Sequence, residues 1–185
     1  MFRLVGARTR ENTQGFSIKH VKSLENAGHA EGLIDKSEFT GAHEVKKIIV
    51  IGCPGSGKST LSRELHSKTG IPLYHLDMLH WNADRTTVEK CVFLERLSNV
   101  LEKDAWIIDG NYGATMELRM QKCDTIIFLD YPLDICLDGI SKRRGKPRSD
   151  LPWVEPEQYD EEFIEFIKNY NSQRRPQVTQ LLEKY

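Results

Sequence analysis

Ile48-Ile49-Val50-Ile51-Gly52-Cys53-Pro54-Gly55-Ser56-Gly57-Lys58-Ser59-Thr60 joins a continuous apolar run to glycines at a fixed spacing. The run, residues 47–51, ends at glycine and predicts a parallel strand buried on both faces. Residues 58–68 predict a helix with Leu61 and Leu65 on one face. Between them, Gly52, Gly57, Lys58 and Ser59 satisfy Gly-x-x-x-x-Gly-Lys-Ser. That spacing serves a chemical purpose. Backbone amides must point inward around phosphate oxygens, and a Cβ at several positions would obstruct the turn. The start of the helix adds partial positive charge facing the anion. Gly52, Pro54, Gly55, Ser56, Gly57, Lys58, Ser59 and Thr60 are therefore candidate ATP- or GTP-contacting residues. Lys58 reaches toward the β- and γ-phosphates, and the Ser59 hydroxyl is a candidate Mg²⁺ ligand. The bland alternative, a structural glycine-rich turn, lacks a reason for the strand before and the helix after.

Outward from this stretch the pattern stays regular. Strands are expected at residues 71–76, 106–110 and 125–129, and helices at 88–101, 115–120 and 133–143. Strands alternating with helices predict a three-layer α/β/α fold around a parallel sheet. A further helix carries Phe163, Phe166 and Ile167, and a last short one is expected at 178–182 after Pro176. No fifth apolar strand follows.

Ligands of open α/β sheets sit beyond the carboxyl ends of the strands. Asp77, Asp109 and Asp130 all fall there. Each has the alternative role of capping the turn after its strand. Asp109, on the strand expected beside the phosphate loop, is the candidate for steering Mg²⁺. Asp77 is the candidate for orienting or deprotonating an acceptor hydroxyl. His75, Asp77 and His80 raise a metal-site reading, but His80 is expected in a loop, and packing with solvent contact accounts for the three.

Residues 141–150 hold five basic side chains, Lys142, Arg143, Arg144, Lys146 and Arg148, interrupted by glycine and proline. Arginines on such a segment suit a lid, at about residues 141–156, that closes over a transferring phosphoryl group. Arg143, Arg144 and Arg148 are the catalytic candidates, beside Lys58 and Asp77. A solvated charge run is the alternative. A nucleic-acid patch is disfavoured by the acidic residues 155–165 that follow and by the lack of interleaved aromatics.

Composition limits the remaining classes. The chain has 185 residues, a net charge of -1 and 39% hydrophobic residues, which suits one domain beside a polar segment. Residues 1–44 carry six basic and six acidic side chains, five glycines and no apolar period. They are read as a mostly disordered extension to a domain at 45–185, although Ile18, Val21 and Leu24 have the spacing of a short helix. Cys53, Cys91, Cys123 and Cys136 include no close pair, so reduced thiols and a cytoplasmic setting are expected. No apolar stretch approaches a membrane span, and a monomer is the expected state.

Taken together, residues 48–60, Tyr74-His75-Leu76-Asp77, residues 106–112, Leu118-Arg119, residues 126–130, Lys142-Arg143-Arg144 and Arg174-Arg175-Pro176 resemble bacterial DNA topology modulation proteins. These are similar in fold to adenylate and shikimate kinases, and the resemblance covers about residues 45–185. It implies strand order 2-3-1-4-5, an arginine-bearing lid and an ATP site. Asn111-Tyr112 follows Asp109-Gly110 where adenylate kinases carry a substrate-contacting Pro-Arg, which counts against AMP as acceptor. Asn111, Arg119 (in place of the missing arginine) and Arg175 are the implied acceptor-binding residues with Asp77. Such proteins begin at a position like Val45 and run on into a fifth strand and last helix. The resemblance thus implies a natural start at Val45, a sheet of order 2-3-1-4 and an exposed edge on the fourth strand. ATP-dependent transfer of a phosphoryl group to a nucleotide or small hydroxyl compound is the expected activity. The other is ATP-responsive regulation of DNA topology without kinase activity, for which direct DNA contact is disfavoured by the near-neutral charge.

Overall fold

The computed structural model describes residues 7–10, 16–19, 45–158 and 161–185. Strands β1 (Ala7–Arg10) and β2 (Phe16–Lys19) precede β3 (Lys47–Gly52), the phosphate-loop strand of the sequence analysis. Helix α1 (Lys58–Thr69), strand β4 (Leu73–His75) and the one-turn helix α2 (Leu76–His80) follow. Then come α3 (Lys90–Leu101), β5 (Trp106–Asp109), α4 (Gly113–Lys122), β6 (Thr125–Leu129) and α5 (Leu133–Arg143). Helix α6 (Glu161–Lys168), a wide π turn at Tyr170–Arg174 and α7 (Arg175–Lys184) complete the described chain.

The sheet order is β2-β1-β6-β3-β5-β4. β4, β5, β3 and β6 are parallel neighbours, which is the expected 2-3-1-4 core. Strand β3 is central, and its alternation explains the layers. Ile49 and Ile51 pack with Leu97, Trp106, Ile108, Met116 and Val178 on one face. Ile48 and Val50 pack with Leu65 and Ile107 on the other, under α1. Burial on both faces is why this strand is an unbroken apolar run.

Three expectations need correction. The edge of β6 is not bare, because β1 pairs with it antiparallel through Arg8↔Ile126 and Thr9↔Thr125. The strands β1 and β2 lie in a segment for which the sequence predicted no strand; Ile18 is in β2, while Val21 and Leu24 lie outside the described residues. His80 is in helix α2 rather than a loop, because the strand stops at His75 and Leu76 turns inward, fully buried. The last helix begins at Arg175 with Pro176 inside its first turn, where a missing N–H costs nothing. Among the described residues, no helix is long and apolar enough to cross a membrane.

Candidate active site

The phosphate loop leaves β3 at Gly52 and enters α1 at Lys58. Gly55 has φ 85°, and a Cβ there would lie 2.0 Å from the Cys136 carbonyl oxygen on α5. Gly139, one turn along α5, faces the same loop: its Cβ would lie 2.2 Å from the Gly55 oxygen. Two glycines thus let a helix touch the loop backbone to backbone, which holds the loop open around a cradle rather than collapsed. Asn111 braces the loop's first residue, accepting from the Gly52 N–H at 3.0 Å and donating to its carbonyl at 2.6 Å. That spends its amide on the scaffold, so Asn111 is corrected from an acceptor contact to a loop brace.

Lys58, half-buried, donates to the Cys53 carbonyl at 3.0 Å. Burial pulls its ammonium below the ordinary value, while Asp109 and Asp77 pull the other way. The cation and both strand-end carboxylates therefore share one site, as their positions after β3, β4 and β5 require. Asp77 accepts from the Tyr112 hydroxyl at 2.8 Å. Burial raises its carboxyl above the usual range, against the opposing pull of that hydrogen bond and of Lys58. Asp109, 4% exposed, has Oδ2 2.9 Å from His75 Nδ1, while its Oδ1 has no partner. Ser56 Oγ is likewise buried without a partner, and the Ser59 hydroxyl lies near enough to Asp150 to favour its ionised form. Thr60 is exposed, its hydroxyl accepting from Arg63 at 3.4 Å. Pro54 is half-buried on the loop's outer turn.

The lid arginines are already engaged. Arg148 pairs with Asp150 through both carboxylate oxygens and with Glu155. Arg143 Nε lies 3.1 Å from Glu155. Arg144 caps α5 and is exposed. Asp150 is 1% exposed, and Arg148 and Ser59 hold its carboxyl well below the usual range in spite of burial.

Two implied acceptor residues are elsewhere. Arg119 is fully buried and donates to the carbonyls of Thr115, Gly110, Asn111 and Tyr112. It shapes the turn after β5 from inside, with four of its five N–H groups on backbone carbonyls and the side chain sealed from solvent, because its helix α4 turns that face into the core. Arg175 makes a two-pronged pair with Asp130 at 2.8 and 2.6 Å, tying α7 to the end of β6. Asp150, Glu155 and the pairing of His75 with Asp109 escaped sequence reasoning. The only available signal was Asp150 two residues after Arg148 in the lid.

No protein-family model and no curated protein matches the chain. Solved structures do. Shikimate kinase from Acinetobacter baumannii in complex with shikimate aligns at TM-score 0.51 and 17% identity, over 79% of this chain and 83% of that one. Shikimate kinase from Bacteroides thetaiotaomicron aligns at TM-score 0.52 and 23% identity, over 74% and 83%. The chain has the α/β fold of the P-loop kinases, and its phosphate loop occupies the strand-to-helix turn at the centre of that fold.

Proposed function

We propose that this chain is an ATP-dependent phosphotransferase acting on a small acceptor that bears a hydroxyl group, a nucleotide or a metabolite. The observation that carries the reading is the meeting of Lys58 with Asp77 and Asp109 at the mouth of a glycine cradle. The cradle amides and Lys58 bind the β- and γ-phosphates. Asp77 takes the proton of the acceptor hydroxyl, whose oxygen attacks the γ-phosphorus. The bond to the β,γ-bridging oxygen breaks and ADP leaves. Burial keeps Asp77 more basic than a solvated aspartate, and Tyr112 fixes its orientation. The donor set fits Mg²⁺: the Ser59 hydroxyl and the unpartnered Asp109 oxygen would hold it, and it would supply charge neutralisation on the phosphates. Arg143 and Arg148 stabilise charge on the transferring group from the closing segment, with Arg144 beside them.

The unit that does this begins near Val45, and a cytoplasmic monomer is the simplest setting. The test is transfer from ATP-Mg²⁺ across nucleoside monophosphates and small hydroxyl metabolites, with Lys58→Ala alongside. Transfer to one acceptor, reduced by roughly a thousandfold or more in the variant, is expected. ATP binding without transfer would instead favour the regulatory role that the likeness to topology modulation proteins implies. Loss of both would defeat the nucleotide reading.

A further inference from the structure

Three side chains from separate parts of the fold converge beside the phosphate loop. His75 ends β4, Asp109 ends β5, and Asp150 comes from the lid. One imidazole nitrogen and one oxygen from each carboxylate all lie within 4.8 Å of one another. Metal–ligand bonds of about 2.0–2.2 Å to nitrogen and oxygen would bring such atoms a little closer together around one ion. An independent observation points the same way. Asp109 is 4% exposed, and its Oδ1 has neither a partner nor solvent. A buried carboxylate oxygen left bare is costly unless something cationic or donating meets it.

We infer that His75, Asp109 and Asp150 form a divalent-cation site that is complete only when the lid is closed. It takes a first-row transition cation of the Mn²⁺ class in preference to Mg²⁺. The inference rests on Asp109 being the metal-facing carboxylate of the proposed function, and adds a lid ligand and an imidazole to it. The preference follows from the donors: carboxylates suit Mg²⁺ and Mn²⁺ alike, and the added imidazole favours the first-row transition series that Mn²⁺ begins.

Arg148 does not bar the ion. A carboxylate offers about four lone-pair sites, so Asp150 keeps its bonds to Arg148 and turns a remaining pair toward the metal. Arg148 then orients the ligand from outside. Asp109 ends β5, the parallel neighbour of β3, so the ion would sit next to the phosphate loop that follows β3. The ion pairs already hold residues 144–156 over the site, and a bound cation fastens them there by tying Asp150 to His75 and Asp109.

The test uses the full chain, free of nucleotide and Mg²⁺, titrated with Mn²⁺ while the electron-spin signal of free Mn²⁺ is followed. One ion per chain is expected, retained in millimolar Mg²⁺. Asp150→Asn and His75→Asn should each weaken binding about tenfold or more, and Glu157→Gln, in the lid but outside the cluster, should not. Equal binding in wild type and Asp150→Asn, or no Mn²⁺ binding at all, overturns the site. Hydrogen exchange on the wild type guards against a misfolded variant: Mn²⁺ alone should slow exchange across residues 144–156, and an unchanged lid also overturns it. Mn²⁺ binding without phosphoryl transfer would leave this site standing while the kinase reading fell; transfer without Mn²⁺ binding would do the reverse.

Discussion

At Tyr112 the backbone has φ 34°, a left-handed value that a bulky residue adopts at a cost of roughly 1–2 kcal/mol. Arg119 accounts for it: the guanidinium, sealed in the core, gathers the Gly110, Asn111 and Tyr112 carbonyls around itself. That curl aims the Tyr112 hydroxyl at Asp77. Arg119→Met should lower stability by about 3 kcal/mol, since several buried carbonyls lose their donor; thermal unfolding checks it. Asp77 invites the opposite result. Its carboxyl is raised by burial, so the ionised form is penalised in the folded state. The penalty is absent below its ordinary value of 3.8 and grows as pH rises through the folded value. Asp77→Asn should therefore raise the melting temperature at pH 7 while abolishing transfer. The gain should shrink as the buffer approaches pH 3.8. A variant less stable than wild type at pH 7 would contradict this.

Among the elements, α5 has an unusual part in the site. It approaches the phosphate loop so closely that Gly55 faces the Cys136 carbonyl and Gly139 faces the Gly55 carbonyl. Cys53 and Cys136, both buried, pack in one apolar cluster across the same seam. The loop's shape is thus set from two sides, by α5 and by the Asn111 amide on Gly52. Gly139→Ala would press a methyl group into the Gly55 carbonyl. We expect a loss of about 1–3 kcal/mol in stability and a fall in nucleotide affinity, read by titration with a fluorescent ATP analogue. Unchanged affinity would mean the loop holds its shape without the helix.

For the whole molecule, the decisive question is what holds residues 144–156, the proposed lid, against the rest of the fold. Arg148, Arg143, Asp150 and Glu155 form a linked set of ion pairs, with Arg63 of α1 3.6 Å from Asp150. The carboxylates are buried, so removing a cation leaves charge without compensation rather than a weak surface pair. Arg148→Ala should speed hydrogen exchange of residues 144–156 by about tenfold or more, with β3 and β5 unchanged. Uniform acceleration through the sheet would show instead that the pairs stabilise the whole fold.

The phosphate loop was legible from residues alone because its chemistry is local. Glycines at fixed spacing, an apolar run and a lysine lie within a dozen positions, and the backbone needs nothing distant to read them. The parallel core was legible for a similar reason, since burial on both faces leaves strands such as β3 uniformly apolar. Side-chain roles after the strand ends were less so. Asp77 and Asp109 could be singled out as candidates because strand ends are where a parallel sheet opens. Asn111 and Arg119 look in sequence like any polar residues that reach a ligand, yet tertiary packing turned one onto Gly52 and the other into the core. Asp150 comes near His75 and Asp109 only because the segment after α5 folds back toward the ends of β4 and β5. A hydrogen-bond donor or a carboxylate has no assigned partner until the chain brings one within about 3 Å, and contacts between positions so far apart in sequence are made by the fold.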